Sequence, residues 1–120
     1  MAADATTIAR PYAVAAFERA VATDKLDLWS DMLALLAMIV RDPGLAGLIA
    51  SPKLDRAQMG ELFLEIAGGR LSDEGQNLVK LLAANQRLAV LPEIAAMFEA
   101  RKAEYQHTID VHPNEQNVPP

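Results

Sequence analysis

Residues 25–40 read KLDLWSDMLALLAMIV and carry apolar side chains on two sides of a helix. The two stripes contain Leu26, Trp29, Leu33, Leu36 and Val40, and Leu28, Met32, Leu35 and Ile39. Both stripes follow the three- and four-residue spacing of an α-helix. A helix that is apolar on two sides normally lies at the centre of a bundle, so this segment predicts an all-α fold built around it. Trp29 stands within the first stripe and is therefore predicted to be a core residue rather than a binding residue.

Start and stop signals predict five further helices around this central segment. The expected ranges of all six are about 7–22, 25–40, 43–50, 55–68, 72–85 and 92–107. Asp24 is the expected N-cap of the second helix, Asp55 and Gln58 resemble a capping box, and Ser72 is the expected cap of the fifth. Gly68 is expected to end the fourth helix. The pattern predicts a six-helix bundle over residues 1–107, followed by a flexible, proline-rich tail over residues 108–120.

The composition excludes several classes of protein. Of the 120 residues, 52% are hydrophobic but only 5% are aromatic, so the chain is rich in aliphatic helix formers and can bury a core. The net charge is −5 and no cluster of basic residues occurs, so no nucleic-acid partner is expected. The longest apolar run, Met32 to Val40, is too short to span a membrane, so any membrane association is expected to be indirect.

The residues that catalysis or metal binding would require do not form a recognisable pattern. His107 and His112, with Asp110, lie at the end of the last helix and in the tail, where their spacing is poor for a metal site. The Gly68-Gly69-Arg70 segment lacks the remaining residues of a phosphate-binding loop. The sequence has no cysteine, which excludes thiol catalysis and zinc–thiolate sites. We therefore expect no catalytic residues, no metal and no cofactor.

The first helix has a second face that the core does not require. At 100° per residue, Val14, Phe17 and Val21 are predicted to face inward. The residues expected roughly opposite them are Ile8, Tyr12, Ala15 and Ala16. Small side chains allow a neighbouring helix to approach closely, and tyrosine is common at interfaces. If the fifth helix lies alongside, Leu81 would complete a groove for an amphipathic partner helix; alternatively, this face packs on another helix of the same bundle.

Four segments of the sequence resemble a known family in their order and spacing. They are IARPYA at residues 8–13 with Ala16-Phe17, WSDML at 29–33, SPKL at 51–54, and residues 78–82 leading into NQRL at 85–88 and LPEI at 91–94. These segments resemble the delta subunit of bacterial ATP synthase, the counterpart of the mitochondrial oligomycin-sensitivity-conferring protein. The resemblance covers residues 6–106.

The resemblance implies a non-catalytic, peripheral-stalk subunit of a proton-driven rotary ATP synthase at the cytoplasmic face of the bacterial inner membrane. In this family an N-terminal six-helix domain binds the N-terminal helix of an alpha subunit in a groove between its first and fifth helices. Tyr12 matches the tyrosine of the family's Ala-Arg-Pro-Tyr-Ala motif, and Leu81 matches an aliphatic groove position. Geometry adds Ile8, Ala15, Ala16 and Leu78, which completes the candidate groove.

The sequence departs from the family pattern at two places. Gln86 replaces a glycine that usually follows the asparagine, so Asn85 is predicted to adopt the left-handed conformation itself. The C-terminal domain that contacts the b-type stalk subunits is missing, and residues 108–120 are interpreted as its beginning. Contacts with the b-type subunits are therefore expected only where that domain is present. The alternative interpretation is a stand-alone helical binding module or small helical enzyme unrelated to ATP synthase.

Overall fold

Six α-helices make up the described part of this computed structural model, which comprises residues 4–51 and 53–111, with side chains described through Thr108. The helices are α1 (Ala5–Ala22), α2 (Leu26–Arg41), α3 (Pro43–Ala50), α4 (Arg56–Ala67), α5 (Asp73–Ala84) and α6 (Leu91–Val111). Short 3₁₀ turns lie at Gly68–Arg70 and Leu88–Val90. Since these residues contain no strand, the prediction of an all-α six-helix bundle is confirmed.

Helix α2 lies at the centre of the bundle, as its two apolar stripes predict. Both stripes are largely buried, and Trp29 is only 4% exposed, which confirms it as a core residue. Helix α6 packs along both α1 and α2, whereas α5 packs mainly on α4. The bundle therefore consists of a three-helix layer (α1, α2 and α6) and an α4–α5 pair that is set against it, with the short α3 packed on α2.

The inward face of α1 differs from the prediction. Its buried residues are Ala9, Ala13, Ala16 and Ala20. Val14, Phe17 and Val21, which were expected to face inward, are only half-buried. Because alanine side chains are small, this face lets α1 approach α2 and α6 closely. The ring of Phe17 instead lies at the α6 side, with its centroid 5.8 Å from that of Phe98 and 5.7 Å from that of Tyr105.

The N-caps predicted for α4 and α5 are confirmed, whereas Asp42, the residue expected to cap the third helix, occupies the N-cap position of α3 without a side-chain hydrogen bond. The Asp55 carboxylate accepts a hydrogen bond from the Gln58 backbone N–H at 2.8 Å, and the Gln58 side chain accepts one from the Asp55 N–H at 3.0 Å, which completes a capping box. The Ser72 hydroxyl accepts from the Gly75 N–H at 3.1 Å. These caps fix the positions at which α4 and α5 begin.

Asp24 does not cap α2 but ends α1. It adopts the left-handed conformation, with φ 56°. The Asp24 N–H donates to the Val21 carbonyl and the Lys25 N–H donates to the Ala20 carbonyl, at 3.2 and 2.8 Å. This is the Schellman arrangement, which satisfies the last carbonyls of a helix and leaves the C′ residue left-handed. Lys25 therefore occupies the N-cap position of α2 without a side-chain cap.

The end of α5 repeats the same arrangement and places Gln86, not Asn85, in the left-handed region. Gln86 has φ 58°, whereas Asn85 has φ −91°. The Arg87 N–H donates to the Leu82 carbonyl at 2.7 Å and the Gln86 N–H to the Ala83 carbonyl at 3.1 Å. The left-handed residue thus lies one position later than predicted, and the strain falls on a glutamine.

Replacing Gln86 with glycine is expected to raise the free energy of unfolding by about 0.5–1 kcal/mol. A left-handed L-residue costs about 1–2 kcal/mol, and the greater entropy of glycine in the unfolded chain offsets part of the gain. Urea denaturation followed by circular dichroism measures the change. Gln106→Gly, at an exposed position inside α6, is the control and should lower stability by about 1 kcal/mol. A destabilised Gln86→Gly protein would contradict this account.

The last helix continues past the expected end near His107. Residues 108–111 are helical, and the Thr108 hydroxyl donates to the Glu104 carbonyl at 3.0 Å. The first residue that disfavours helix after this point is Pro113, which also restricts the residue before it. Residues 112–120 lie outside the described residues, so the flexible tail remains a prediction there.

None of the helices in the described ranges is, by itself, both long and apolar enough to cross a membrane. Helices α2 and α3 meet the length and composition requirement only when taken together, and they bend by 80° at their junction. Most apolar side chains of α2 are buried within the bundle. The apolar character of α2 is thus accounted for by its central position.

Candidate partner-binding site

A cleft of about 280 Å³ lies between α1 and α5. Its walls come from the two helices, and one residue of α2 contributes from below. The lining residues are Tyr12, Ala15, Ala16 and Arg19 of α1, Glu74, Asn77, Leu78 and Leu81 of α5, and Trp29 of α2. The exposed lining is mainly apolar, so the cleft offers a hydrophobic surface between two helices.

Most of the residues predicted for a groove come together in this cleft. The lining includes Tyr12, Ala15, Ala16, Leu78 and Leu81. Ile8 is absent from the lining; it is half-buried and packs against the core. The structure thus places five of the six candidate residues on one concave surface. Their role in binding remains a prediction.

The concavity arises from small residues beside large ones. Ala15 and Ala16 leave α1 without bulky side chains at the middle of the cleft, and Ala16 is itself only 5% exposed. Leu81 is 49% exposed, although a leucine at this position gains free energy only when it is covered. Small residues beside an exposed leucine form the kind of surface on which an apolar helix face can pack.

A polar contact joins α1 to α5 at each end of the cleft. The Asn85 side-chain amide donates to the Tyr12 hydroxyl at 3.1 Å. The Arg19 guanidinium forms an ion pair with the Glu74 carboxylate, and both side chains are substantially exposed. Tyr12 and Arg19 are about two turns apart on α1. The apolar part of the cleft therefore lies between two polar contacts.

Four residues that line the cleft were not among the predicted groove residues: Trp29, Arg19, Glu74 and Asn77. Trp29 was interpreted as core only, but it is both buried and part of the lining. Arg19 follows Ala15 by one helical turn, so the same periodicity that selected Tyr12 and Ala15 indicates it. Glu74 and Asn77 belong to α5, whose position relative to α1 depends on packing that no local pattern encodes.

The described residues also line two clefts of larger volume elsewhere on the bundle. One, of about 480 Å³, lies beside Asp55 and Gln86 and has as much polar as apolar lining. The other, of about 460 Å³, lies between α4 and α5 beside Gly60, Lys80 and Ala83. Neither contains an aromatic residue or any of the candidate groove residues. Volume alone therefore does not select the functional surface.

The described residues provide no arrangement for metal binding. No group of three or more histidine, cysteine, aspartate or glutamate side chains suitable for a metal occurs among them. His107 is exposed on α6, while His112 lies outside the described ranges. One carboxylate, that of Asp4, has a lowered pKa because it accepts a hydrogen bond from the Thr7 backbone N–H as the N-cap of α1. This is a structural role at a helix end.

Comparison with known proteins agrees with this architecture. Residues 8–112 match the family described as ATP synthase delta (OSCP) subunit. The chain belongs to this family. It is 47% identical to ATP synthase subunit delta of Hahella chejuensis over 107 residues, which cover 89% of this chain and 60% of that protein. It is also 47% identical to the corresponding subunit of Methylobacillus flagellatus over 108 residues, or 90% and 61% of the two chains.

Membership of the delta (OSCP) family excludes the alternative of a helical module or enzyme unrelated to ATP synthase. The match also has a defined extent, since the chain spans about three-fifths of the length of the curated relatives it matches. The six-helix bundle accounts for nearly all of the matched residues.

Proposed function

We propose that this chain is a non-catalytic stator component in the peripheral stalk of a proton-translocating ATP synthase. Its α1–α5 cleft binds the N-terminal helix of an alpha subunit. The observation that carries this proposal is the assembly of Tyr12, Ala15, Ala16, Leu78 and Leu81 in one apolar cleft of a delta-family chain.

The shape of the cleft suits a helix rather than an extended peptide. The α1 residues of the lining recur at positions i, i+3, i+4 and i+7, so they form a straight wall along that helix. Apolar residues at the same spacing on a partner helix would pack between this wall and Leu78 and Leu81. The alanines allow close approach of the two helices, while Trp29 supplies a large apolar contact below them.

The proposed role is mechanical. Proton flow turns the rotor of the enzyme, and the catalytic head must be held against the resulting torque. A docked helix resists this torque if its dissociation is slow, and burial of several apolar anchors lowers the dissociation rate more than it changes the association rate. The subunit makes and breaks no covalent bond in this role.

The proposal also concerns the b-type subunits, the membrane and nucleic acid. The b-type stalk subunits are proposed partners only where the C-terminal domain of the family is present. Association with the membrane is indirect, through the assembled enzyme at the cytoplasmic face of the bacterial inner membrane. Nucleic acid is not among the proposed partners, since the net charge is −5.

A fluorescence titration tests the proposed function. The probe is a peptide that copies the N-terminal segment of the alpha subunit from the same organism, added to the intact chain. Because Trp29 is the single tryptophan and lines the cleft, its emission should change and saturate, with a Kd on the order of micromolar or lower. A scrambled peptide of the same composition is the control. Absence of saturable binding at tens of micromolar peptide would contradict the proposal.

A further inference from the structure

The two walls of the α1–α5 cleft belong to different parts of the bundle. Helix α1 packs on α2 and α6, while α5 packs on α4. The N-terminal end of α5 is also anchored to α2, because the Met32 sulfur accepts a hydrogen bond from the Ser72 backbone N–H at 3.2 Å. At its other end, the Arg56 guanidinium donates to the Ala84 carbonyl at 2.9 Å. These anchors hold α5 to α2 and α4, but not to α1.

Side-chain contacts across the cleft supply the connection to α1. The Arg19–Glu74 ion pair closes one end, and the hydrogen bond between Asn85 and Tyr12 closes the other. Arg19 and Glu74 are separated by 55 positions in the sequence, so their contact reports tertiary geometry rather than local helix structure. The width of the cleft between these ends therefore depends on side chains that are not part of the core.

We propose that Arg19 and Glu74 are positioning residues that fix the distance between α1 and α5, and so the width of the cleft, before the partner binds. This inference rests on the proposed function. An exposed ion pair adds little to global stability, because solvent screens it and both side chains lose conformational freedom. It affects binding through preorganisation, since a cleft that already has its bound width loses less conformational freedom when the partner helix docks.

Charge reversal and charge exchange test this role. The variants are Arg19→Glu, Glu74→Arg and the double exchange, each measured by peptide titration and by acrylamide quenching of Trp29. Each single variant is expected to weaken peptide binding about three- to tenfold, because it replaces attraction with repulsion across the cleft. Each should also increase the quenching of Trp29. The double exchange restores the ion pair and should return both measurements to nearly the wild-type values.

A second ion pair provides the matched control. Lys102 on α6 contacts Asp27 on α2 at 3.2 Å, and neither residue lines the α1–α5 cleft. Asp27→Lys reverses the charge of the exposed member of this pair and likewise replaces attraction with repulsion, so it should change neither peptide affinity nor Trp29 quenching. If Asp27→Lys reproduces the effects of the single cleft variants, those effects come from any charge reversal on the bundle and the inference is overturned.

The outcomes separate this inference from the proposed function. If the wild-type chain binds the peptide and the single variants bind equally well, the positioning role is wrong. If the double exchange binds as weakly as the single variants, Arg19 or Glu74 contacts the peptide directly, which also overturns the inference. If the wild-type chain does not bind, the proposed function fails. In that case the positioning role is decided by the quenching of Trp29 alone. Unchanged quenching in the single variants overturns the role. An increase in quenching that the double exchange reverses supports it.

Discussion

Replacing Phe98 with alanine is expected to lower the free energy of unfolding by about 3–5 kcal/mol, the largest loss that we predict for a single substitution. Phe98 is completely buried in α6, the helix that packs along both α1 and α2. Its ring also makes an edge-to-face contact with Phe17. The substitution removes this contact and leaves a cavity where three helices meet, so the loss combines transfer and cavity contributions.

Urea denaturation measures this loss, and Phe17→Ala is the matched control. Phe17 belongs to the same aromatic cluster but is only half-buried. Phe17→Ala should therefore lower the free energy of unfolding clearly less than Phe98→Ala, since partly exposed side chains bury less area and leave smaller cavities. Equal losses at the two positions would show that the α1–α6 contact, and not the centre of the bundle, dominates the stability of the fold.

Replacing Leu81 with aspartate is expected to weaken binding of the alpha-subunit peptide by at least about thirtyfold. This corresponds to about 2 kcal/mol, the usual threshold for a residue that dominates an interface. The substitution removes an apolar anchor and places a charge where the partner helix would exclude water. Because Leu81 is 49% exposed in the free chain, the fold should be retained, as far-ultraviolet circular dichroism can verify.

Ile66→Asp provides the control for Leu81→Asp. Ile66 is 44% exposed on α4 and does not line the α1–α5 cleft. Ile66→Asp makes the same change of polarity and charge as Leu81→Asp at a similarly exposed position. General effects of an added carboxylate should therefore be equal in the two variants. Peptide binding should be normal in Ile66→Asp. Normal binding in both variants would place the binding surface away from Leu81.

The spacing of apolar residues in the sequence predicted the fold correctly where those residues are large. The stripes that contain Trp29 and Leu36 identified α2 as the central helix, because burying leucine- and tryptophan-sized side chains dominates folding. The same reasoning failed on α1. There it favoured Phe17 over Ala13, although the alanine face is the buried one. Alanine gives a weak hydropathy signal, so close helix packing through small residues is not apparent from periodicity alone.

The ends of the helices could be predicted from the sequence only in part. Asp55 and Ser72 were predictable as caps because their partners lie three residues away. Asp24 and Gln86 were misassigned because a Schellman ending depends on the direction in which the chain leaves the helix. Neither residue is a glycine, so the left-handed position carried only a weak residue signal, although aspartate tolerates it and the family usually has glycine in place of Gln86.

The candidate site was predictable on α1 and only partly on α5. Helical spacing groups Tyr12 with Ala15 and Ala16, and the family resemblance adds Leu81. The partners at the two ends of the cleft, Glu74 and Asn85, meet α1 only through tertiary packing. Ile8 was included because it shares a helical face with Tyr12, but it is not among the residues that line the cleft. The helical periodicity thus predicts in which direction a side chain points, but not which neighbouring residues it contacts.

The most direct test of the central claim is to locate the bound peptide on the bundle by nuclear magnetic resonance. Amide chemical shifts of the labelled chain are followed during titration with the alpha-subunit peptide. The account predicts that the largest changes cluster on the two cleft walls, at Tyr12, Ala15, Leu78 and Leu81. Changes concentrated instead at the α4–α5 cleft, around Gly60 and Ala83, or no saturable changes at all, would contradict it.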